Sequence, residues 1–286
     1  MTDRNDLSTR WMKVSEPEPH VLLVEIVRAP VNAFHEACWT EFDLVFDKIS
    51  TDPSVRAVVL ASSLPKLFSA GIDFTGMDST HAFDADPGRR AQQTRQWIAH
   101  SQRAVGAAER CPVPVIVAVH GVAYGLAIDI ASACDVCYAA ADVRFSVKEV
   151  DIGLAAGLGT LARLPKVAGS RSAVRELAFT AREFGAAEAL RMGLVSRIVS
   201  GGRDEVVAAA LDTATLIAQK SPIAVLGTKR VLLHSRDHTV QSNLNYVAVW
   251  NGAMLQSPDK SAALKGALER KPAIFPNLGK FPGAKL

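Results

Sequence analysis

Short apolar runs alternate with segments of helical spacing along the first two thirds of the chain. Residues 21–27, 55–61 and 113–119 are almost wholly apolar and rich in β-branched residues, which predicts buried strands. Residues 34–49 and 92–108 instead repeat their apolar positions at the spacing of a helix. Strand, helix and strand in this order predict an α/β architecture with a partly parallel sheet.

Helical spacing continues after this region. Residues 170–180 and 186–192 are predicted helices, and Gly193 is a predicted C-cap that leads into a short strand. A short alternating segment at 144–147 predicts one more strand.

The end of the chain is helical by periodicity alone. Apolar spacing typical of helices runs from 204 to 269, with breaks at Ser221-Pro222 and Ser257-Pro258. We therefore predict a core domain over residues 1–203 and a separate C-terminal helical region with a tail over residues 204–286.

The stretch after the third apolar run carries the candidate chemistry. The strand is expected to end at His120, residues 121–125 are predicted to turn tightly, and residues 126–134 have a small and apolar face suited to a buried helix. The first N–H groups of a helix have no intrahelical acceptors, and the helix dipole adds positive potential there. This helix start is therefore a candidate site for an oxygen that becomes negative during a reaction.

Two acidic residues lie near this candidate site in the sequence. Asp129 falls one turn into the predicted helix, where it is either a pocket acid or a carboxylate favoured by the helix dipole. Glu149 follows the alternating strand, where it is either a pocket acid or an ordinary solvated charge. Periodicity alone leaves both alternatives open.

Composition narrows the class of protein. A chain of 286 residues with 49% hydrophobic and 21% charged residues predicts a globular fold with a large core, and a net charge of +3 is too small to indicate a nucleic-acid binder. The four cysteines are expected to be reduced, and the lone Cys134 and Cys137 pair predicts buried thiols rather than a metal site. No apolar run reaches transmembrane length, and Asp3 and Asp6 argue against an N-terminal targeting peptide.

Seven segments of the chain resemble the crotonase (enoyl-CoA hydratase/isomerase) superfamily. They are 28–33 (RAPVNA), 68–73 (FSAGID), 114–121 (PVIVAVHG), 133–135 (ACD), 148–156 (KEVDIGLAA), 159–161 (GTL) and 163–167 (RLPKV). The last three are most similar to Δ3,5-Δ2,4-dienoyl-CoA isomerases. The resemblance implies a crotonase-like ββα spiral core with a C-terminal helical layer.

By the same resemblance, an acyl-CoA thioester is the substrate and no separate cofactor is needed. The backbone N–H groups of Ile72 and Leu126 would hold the thioester oxygen, with Ala70, Gly71, Gly125 and Gly157 lining the substrate site. Leu126 occupies the place of a glycine in the family pattern, which is expected to narrow the acyl pocket.

The implied catalytic acids are Glu149 and Asp129. Dienoyl-CoA isomerases carry a further aspartate eight residues after the glutamate, and here that position is Gly157, as in hydratases. Four hypotheses follow: a dienoyl-CoA isomerase with Asp129 as the base and Glu149 serving C6, an enoyl-CoA hydratase in which the two acids activate water, a Δ3-Δ2-enoyl-CoA isomerase that uses Glu149 alone, and a non-catalytic acyl-CoA-binding scaffold.

Three other features have structural interpretations. Ser69 is expected to be a turn hydroxyl rather than a nucleophile, because no motif places a histidine to activate it. His120 is expected to be structural, and residues 77–95 are predicted to form a lid or an insertion.

The resemblance also implies partners and a location. The C-terminal helices are expected to build a homotrimer or homohexamer, in which Trp250, Met254 and Leu255 serve either the interface or ordinary core packing. The final Ala284, Lys285 and Leu286 are similar to a peroxisomal Ser-Lys-Leu signal, which predicts a peroxisomal import receptor as a partner, with a cytoplasmic location as the alternative.

Overall fold

The structure, a computed structural model, describes residues 2–73, 75 and 83–279. The strands in these ranges are β1 (Thr2–Asp3), β2 (Met12–Glu18), β3 (Val21–Ile26), β4 (Ala57–Ser62), β5 (Leu67–Ser69), β6 (Val115–Val119), β7 (Val122–Tyr124), β8 (Val136–Ala140), β9 (Arg144–Ser146), β10 (Phe184–Gly185) and β11 (Arg197–Val199). The helices are α1 (Glu36–Thr51), α2 (Pro87–Val105), α3 (Ala107–Arg110), α4 (Leu126–Ala133), α5 (Thr160–Val167), α6 (Arg171–Thr180), α7 (Ala186–Met192), α8 (Arg203–Ala218), α9 (Pro222–Asp237), α10 (Val240–Met254) and α11 (Pro258–Glu269), with a 3-10 turn at Lys148–Ile152.

Within the described ranges, a large sheet has the strand order β1-β2-β3-β4-β6-β8-β11 and a small sheet the order β10-β9-β7-β5. Strands β3, β4, β6, β8 and β11 are mutually parallel, as the strand and helix rhythm predicted. Three consecutive units each send one strand into the large sheet and the next into the small one before a helix follows: β4-β5-α2, β6-β7-α4 and β8-β9-α5. This repetition is the predicted ββα spiral.

Both faces of the large sheet are buried at its central strands β3, β4 and β6, which explains why these strands are continuous apolar runs rather than alternating ones. Along β3, Leu22, Val24 and Ile26 point into the main core, which also contains the apolar faces of α1 and α4. Val21 and Leu23 point to the opposite face, where α8 covers them. The period of two along each strand thus divides one apolar run between two cores.

The helices after α8 have a different environment. Helix α8 buries an apolar face that includes Val206, Ala210 and Ala214 against the large sheet. The described side chains of α10 include no buried residue. The domain boundary after residue 203 remains a prediction. Helix α8, which begins at that boundary, still packs on the large sheet, so the change to helices with few or no buried residues comes after α8. No helix in the described part of the chain is both long and apolar enough to cross a membrane.

Three local predictions were wrong. Residues 121–125 hold the strand β7 between two glycines instead of a simple turn, because Val122–Tyr124 pairs with both β5 and β9. Helix α2 begins at Pro87 rather than near residue 92, with Asp86 as its N-cap, so the later part of the predicted lid is helical. The earlier part of that segment, 76–82, lies outside the described residues.

The third wrong prediction concerns a break between two helices, which the apolar spacing does not show. Helix α9 ends at Asp237 and α10 begins at Val240, with the Thr239 side chain accepting a hydrogen bond from Ser242 N–H. Threonine is a good N-cap, but no proline or glycine marks the site, so the periodicity was interpreted as continuous.

Candidate active site

One predicted backbone donor lies on the loop after β5. Phe34 N–H donates to Gly71 O (2.8 Å) and Asp73 N–H donates to Phe34 O (2.8 Å), so Ile72 is held in a short bridge to Phe34. Asp73 also accepts a hydrogen bond from Arg28 (2.5 Å), which fixes the far side of the loop. These bonds leave Ile72 N–H without a hydrogen-bond acceptor in the described ranges.

Glycine at position 71 permits the close approach of this loop to α4. Gly71 has a φ of +101°, and a Cβ there would lie 3.0 Å from Tyr124 O and 3.7 Å from Leu126 N. The loop that carries Ile72 therefore packs directly against the segment that begins α4. Ala70 precedes it and donates its N–H to Val31 O (3.0 Å).

The second predicted donor is the first residue of α4. Gly125, with a φ of +51°, is the N-cap of α4, and Leu126 N–H has no acceptor among the residues that the structure describes. The Leu126 side chain has no exposed surface and lies in the main core. Within the part of the chain that the structure describes, both predicted N–H donors are thus without an acceptor, and Gly71 and Leu126 lie side by side.

The Glu149 carboxyl lies beside Gly125 at the start of α4. Glu149 is on the 3-10 turn after β9 and is only 8% exposed, which settles the earlier choice against a solvated charge. Its Oε1 is 3.1 Å from the position that a Cβ on Gly125 would take, and its buried Oε2 has no hydrogen-bond partner among the described groups. Burial, and secondly the negative charge of Asp129, raise the pKa of Glu149 to about 7.

Asp129 lies deeper, on the first turn of α4. The side chain is 1% exposed, and its Oδ1 accepts a hydrogen bond from Thr160 N–H (2.5 Å) at the start of α5. Burial raises the pKa of Asp129, while the Thr160 N–H and the positive charge of Arg163 act in the opposite direction. Helix α4 places Asp129, and the first N–H of α5 supplies the hydrogen bond to its carboxyl group.

Gly157 lies on the loop between the 3-10 turn and α5. It is exposed, and its carbonyl accepts a hydrogen bond from Gln102 Nε2 (2.8 Å). A Cβ added there would meet only Ala155 O at 3.7 Å, which is ordinary contact, and the backbone is not in the left-handed region. Neither the space nor the backbone at this position excludes a side chain.

Thr160 and Arg163 were not identified as site residues from the sequence. Each is more than thirty positions from Asp129, and no local pattern couples the first turn of α5 to the first turn of α4. Both residues lie in segments that resemble dienoyl-CoA isomerases, 159–161 and 163–167, but that resemblance assigned neither of them a role.

The structural interpretations of Ser69 and His120 are confirmed. Ser69 Oγ donates to Asn32 O (2.7 Å) and accepts from Gly71 N–H (3.1 Å), so it supports the loop that carries Ile72. His120 Nε2 lies 2.8 Å from Leu64 O, and burial lowers the pKa of this histidine. The four cysteines are free thiols, and no cluster of three metal-ligating side chains occurs in the described ranges.

Together these groups can perform one kind of chemistry. Two free backbone N–H groups can stabilise a developing oxyanion. Beside them, a carboxyl with a pKa of about 7 can hold or release a proton near neutrality. A second, nearby carboxyl with a different environment can take the opposite role. Such a combination of donors and acids can move protons next to a stabilised enolate.

The chain belongs to the enoyl-CoA hydratase/isomerase family, because the model of that family matches residues 16–276. It is 46% identical to the mitochondrial Δ3,5-Δ2,4-dienoyl-CoA isomerase of Homo sapiens over 93% of this chain and 81% of the relative. It is 41% identical to the peroxisomal Δ3,5-Δ2,4-dienoyl-CoA isomerase of Arabidopsis thaliana over 87% of this chain and 89% of the relative. The crystal structure of an enoyl-CoA hydratase from Bacillus anthracis shares the fold, with a TM-score of 0.83 at 24% identity over 93% of this chain and 99% of that one. The predicted crotonase-like fold is confirmed.

Proposed function

We propose that this protein converts 3,5-dienoyl-CoA thioesters into 2,4-dienoyl-CoA thioesters in fatty-acid β-oxidation. The observation that carries the proposal is the Glu149 carboxyl, which is buried, has no described hydrogen-bond partner at Oε2 and lies against Gly125 at the start of α4. Such a group costs stability in a folded protein, and a proton-transfer role explains its retention. The two dienoyl-CoA isomerases described above support this choice within the family.

The proposed reaction starts with the thioester oxygen between Ile72 N–H and Leu126 N–H. Ionised Asp129 removes a proton from C2, and the electrons move towards the thioester oxygen to give a dienolate that the two N–H groups stabilise. Protonated Glu149 then gives its proton to C6, and the double bonds shift from positions 3 and 5 to positions 2 and 4. Proton exchange with water returns both carboxyls to their starting forms, so no cofactor or metal takes part.

The different environments of the two acids support this division of roles. A pKa of about 7 keeps a substantial fraction of Glu149 protonated at neutral pH, as an acid requires. Burial raises the pKa of Asp129, whereas the N–H of Thr160 acts in the opposite direction by favouring the ionised form that a base requires.

Gly157 favours a second candidate function, hydration of 2-enoyl-CoA. Without a side chain at Gly157 the site lacks the third acid of the dienoyl-CoA isomerase pattern, and two acids suffice to hold and activate water.

Purified protein should be incubated with 3,5-dienoyl, 2-enoyl and 3-enoyl thioesters and the products identified. A 2,4-diene from the first substrate supports the proposal, a 3-hydroxyacyl thioester from the second supports hydration, and a 2-enoyl product from the third alone supports a Δ3-Δ2-enoyl-CoA isomerase. No product from any of them supports a scaffold.

We also propose a homotrimer or homohexamer built through the C-terminal helices. Val240 and Val249 on α10 are each 78% exposed, and Leu255 at its end is 56% exposed, which is unusual for a helix in a stable monomer. Trp250 packs within the chain, since its ring fills the space beside Gly227, so its contact is internal. Analytical ultracentrifugation measures the assembly directly, and a monomer at micromolar concentration would contradict this proposal.

The proposed location is the peroxisome. The relatives include a peroxisomal plant enzyme and mitochondrial animal enzymes, so the family supports either organelle. The choice rests on Ala284, Lys285 and Leu286, which lie outside the described residues. A fluorescent protein that ends in these three residues should enter peroxisomes in an import-receptor-dependent manner, whereas a cytosolic signal would contradict the proposal.

A further inference from the structure

A guanidinium group occupies the space next to the buried Asp129. A Cβ on Gly159 would lie 2.0 Å from Arg163 Nη1 and 3.7 Å from Asp129 Oδ1. Because both atoms adjoin the same small volume, glycine at 159 is what lets the cation approach the carboxylate. The two groups do not form a direct ion pair among the described contacts, so they interact through space.

Arg163 is clamped in this position from the other side. Its Nε and Nη2 donate to Glu109 Oε2 at 3.2 and 3.1 Å, and the other carboxylate oxygen of Glu109 accepts from Arg236. A Cβ on Gly106 would lie 2.8 Å from Arg163 Nη2, so a second glycine leaves room for the same guanidinium. The remaining nitrogen, Nη1, faces Gly159 and donates no hydrogen bond to a group in the described ranges.

We propose that Arg163 is a positioning residue which, held by Glu109 between Gly106 and Gly159, stabilises the ionised form of Asp129. It thereby sets the pH range in which Asp129 can remove a proton. The inference rests on the proposed function for the role of Asp129 in the reaction, but not for the electrostatic effect itself.

The charged surroundings of Asp129 make the direction of this effect clear. Glu149 on the 3-10 turn adds negative potential, which favours protonation of Asp129. Arg163 on α5 adds positive potential, which favours its ionised form. Glu109 on α3 binds Arg163 and Arg236 on α9 binds Glu109, and neither forms a hydrogen bond with Asp129 among the described contacts. Among the charged side chains of the described elements around α4, Arg163 is thus the cation that adjoins Asp129.

The first test titrates Asp129 without substrate. The infrared band of the protonated carboxyl is followed against pH and assigned by its loss in Asp129→Asn. In Arg163→Met the midpoint of this titration should rise by about one pH unit, and Arg163→Lys should restore part of the difference. Arg236→Met is the matched control, because it removes a neighbouring cation that contacts Glu109 but not the space at Gly159. An unchanged midpoint in folded Arg163→Met, or an equal rise in both methionine variants, would overturn the proposal.

A second variant, in which the Asp129 midpoint should shift in the opposite direction, keeps the proposal testable if Arg163→Met does not fold. Glu109→Gln keeps the size of the side chain and an amide oxygen that can still accept both hydrogen bonds from Arg163, and it removes the negative charge that partly neutralises Arg163. The midpoint of Asp129 should then fall, opposite to the change in Arg163→Met. A rise in Glu109→Gln would contradict the proposed electrostatic role.

Activity measurements separate this inference from the proposed function. In Arg163→Met the acid limb of the kcat/KM profile for 3,5-dienoyl-CoA should move to higher pH by the same amount as the infrared midpoint, with near-normal kcat at high pH. If the infrared midpoint moves but wild-type protein makes no 2,4-diene, the proposed function fails and the electrostatic role stands. If wild-type protein makes the diene and the midpoint does not move, the role of Arg163 fails alone.

Discussion

The pocket around Glu149 and the surface of α10 are unusual in opposite ways: the pocket buries a polar group, and the helix exposes apolar ones. The pocket buries a carboxyl whose Oε2 has no described partner, whereas α10 exposes valines that a monomer would bury. Both arrangements cost free energy in an isolated chain. For the first, we propose that the cost is retained because the carboxyl transfers a proton in the reaction, and for the second, that another copy of the chain covers the helix. Unfavourable burial thus points to chemistry, and unfavourable exposure points to assembly.

The largest expected effect comes from replacing the buried carboxyl of Glu149 by an amide. Glu149→Gln keeps the shape of the side chain but cannot transfer a proton, so turnover of the dienoyl substrate should fall about 100-fold or more. Steady-state kinetics at pH 7 measure this loss. The exposed Glu18 provides a matched control, and Glu18→Gln should leave turnover unchanged. Near-normal turnover in Glu149→Gln would remove this residue from the mechanism.

The same variant should change stability in a pH-dependent way. Burial raises the pKa of Glu149 from 4.5 to about 7 in the folded state. A carboxyl with a raised folded pKa destabilises the fold as it ionises, so its penalty is absent below pH 4.5 and complete above pH 7. Glu149→Gln lacks this penalty and should be more stable than wild type above pH 7, by at most about 3 kcal/mol.

Denaturant unfolding at several pH values measures that difference. Wild-type protein and Glu149→Gln should have similar unfolding free energies at pH 4, and the gap should open between pH 4.5 and pH 7. A gap that does not depend on pH would mean that the variant acts through packing and not through ionisation.

A smaller gain is expected from adding the missing acid. Gly157→Asp places a carboxyl where the resembled dienoyl-CoA isomerases have one, and the structure has both the space and the backbone for it. Conversion of 3,5-dienoyl to 2,4-dienoyl thioester should rise by about 10-fold, below the full value of a well-placed base. Diene absorbance measures the gain, and Gly157→Asn is the uncharged control. A folded Gly157→Asp variant with no gain would favour the hydratase alternative.

The smallest effect on the folded chain is expected on α10. Replacing the exposed Val240 and Val249 by serine removes apolar surface without opening a cavity, so the free energy of unfolding of the monomer should change by only about 0.5 kcal/mol. Sedimentation, in contrast, should shift towards smaller species. The same pair of substitutions with an unchanged oligomer would mean that this face of α10 does not build the assembly.

The sequence predicts the sheet core well because one physical rule dominates there. Apolar runs such as residues 113–119 are too short for helices and are buried on both faces, so their pattern has few alternatives. The start of α4 was predicted for a similar reason, since Gly125 stands directly before a small, apolar helical segment.

The electrostatic surroundings of the two acids could not be predicted in this way. Asp129 is satisfied by Thr160, and Arg163 is clamped by Glu109, across separations of 31 and 54 residues. Periodicity reports which side of an element is apolar, but not which charged groups the fold brings together from distant elements. The start of α10 was missed for a local reason, because its threonine cap leaves the helical period intact.

The most direct test of the proposed mechanism is to identify the source of the proton that is delivered to C6. Wild-type protein is allowed to convert 3,5-dienoyl-CoA in heavy water, and the 2,4-dienoyl product is analysed by NMR for the position of deuterium. If Asp129 takes the proton from C2 and a separate, solvent-exchanging Glu149 supplies C6, the product carries deuterium at C6. A product with the original C2 proton transferred to C6 would require a single shuttling group and would contradict the proposed pair of acids.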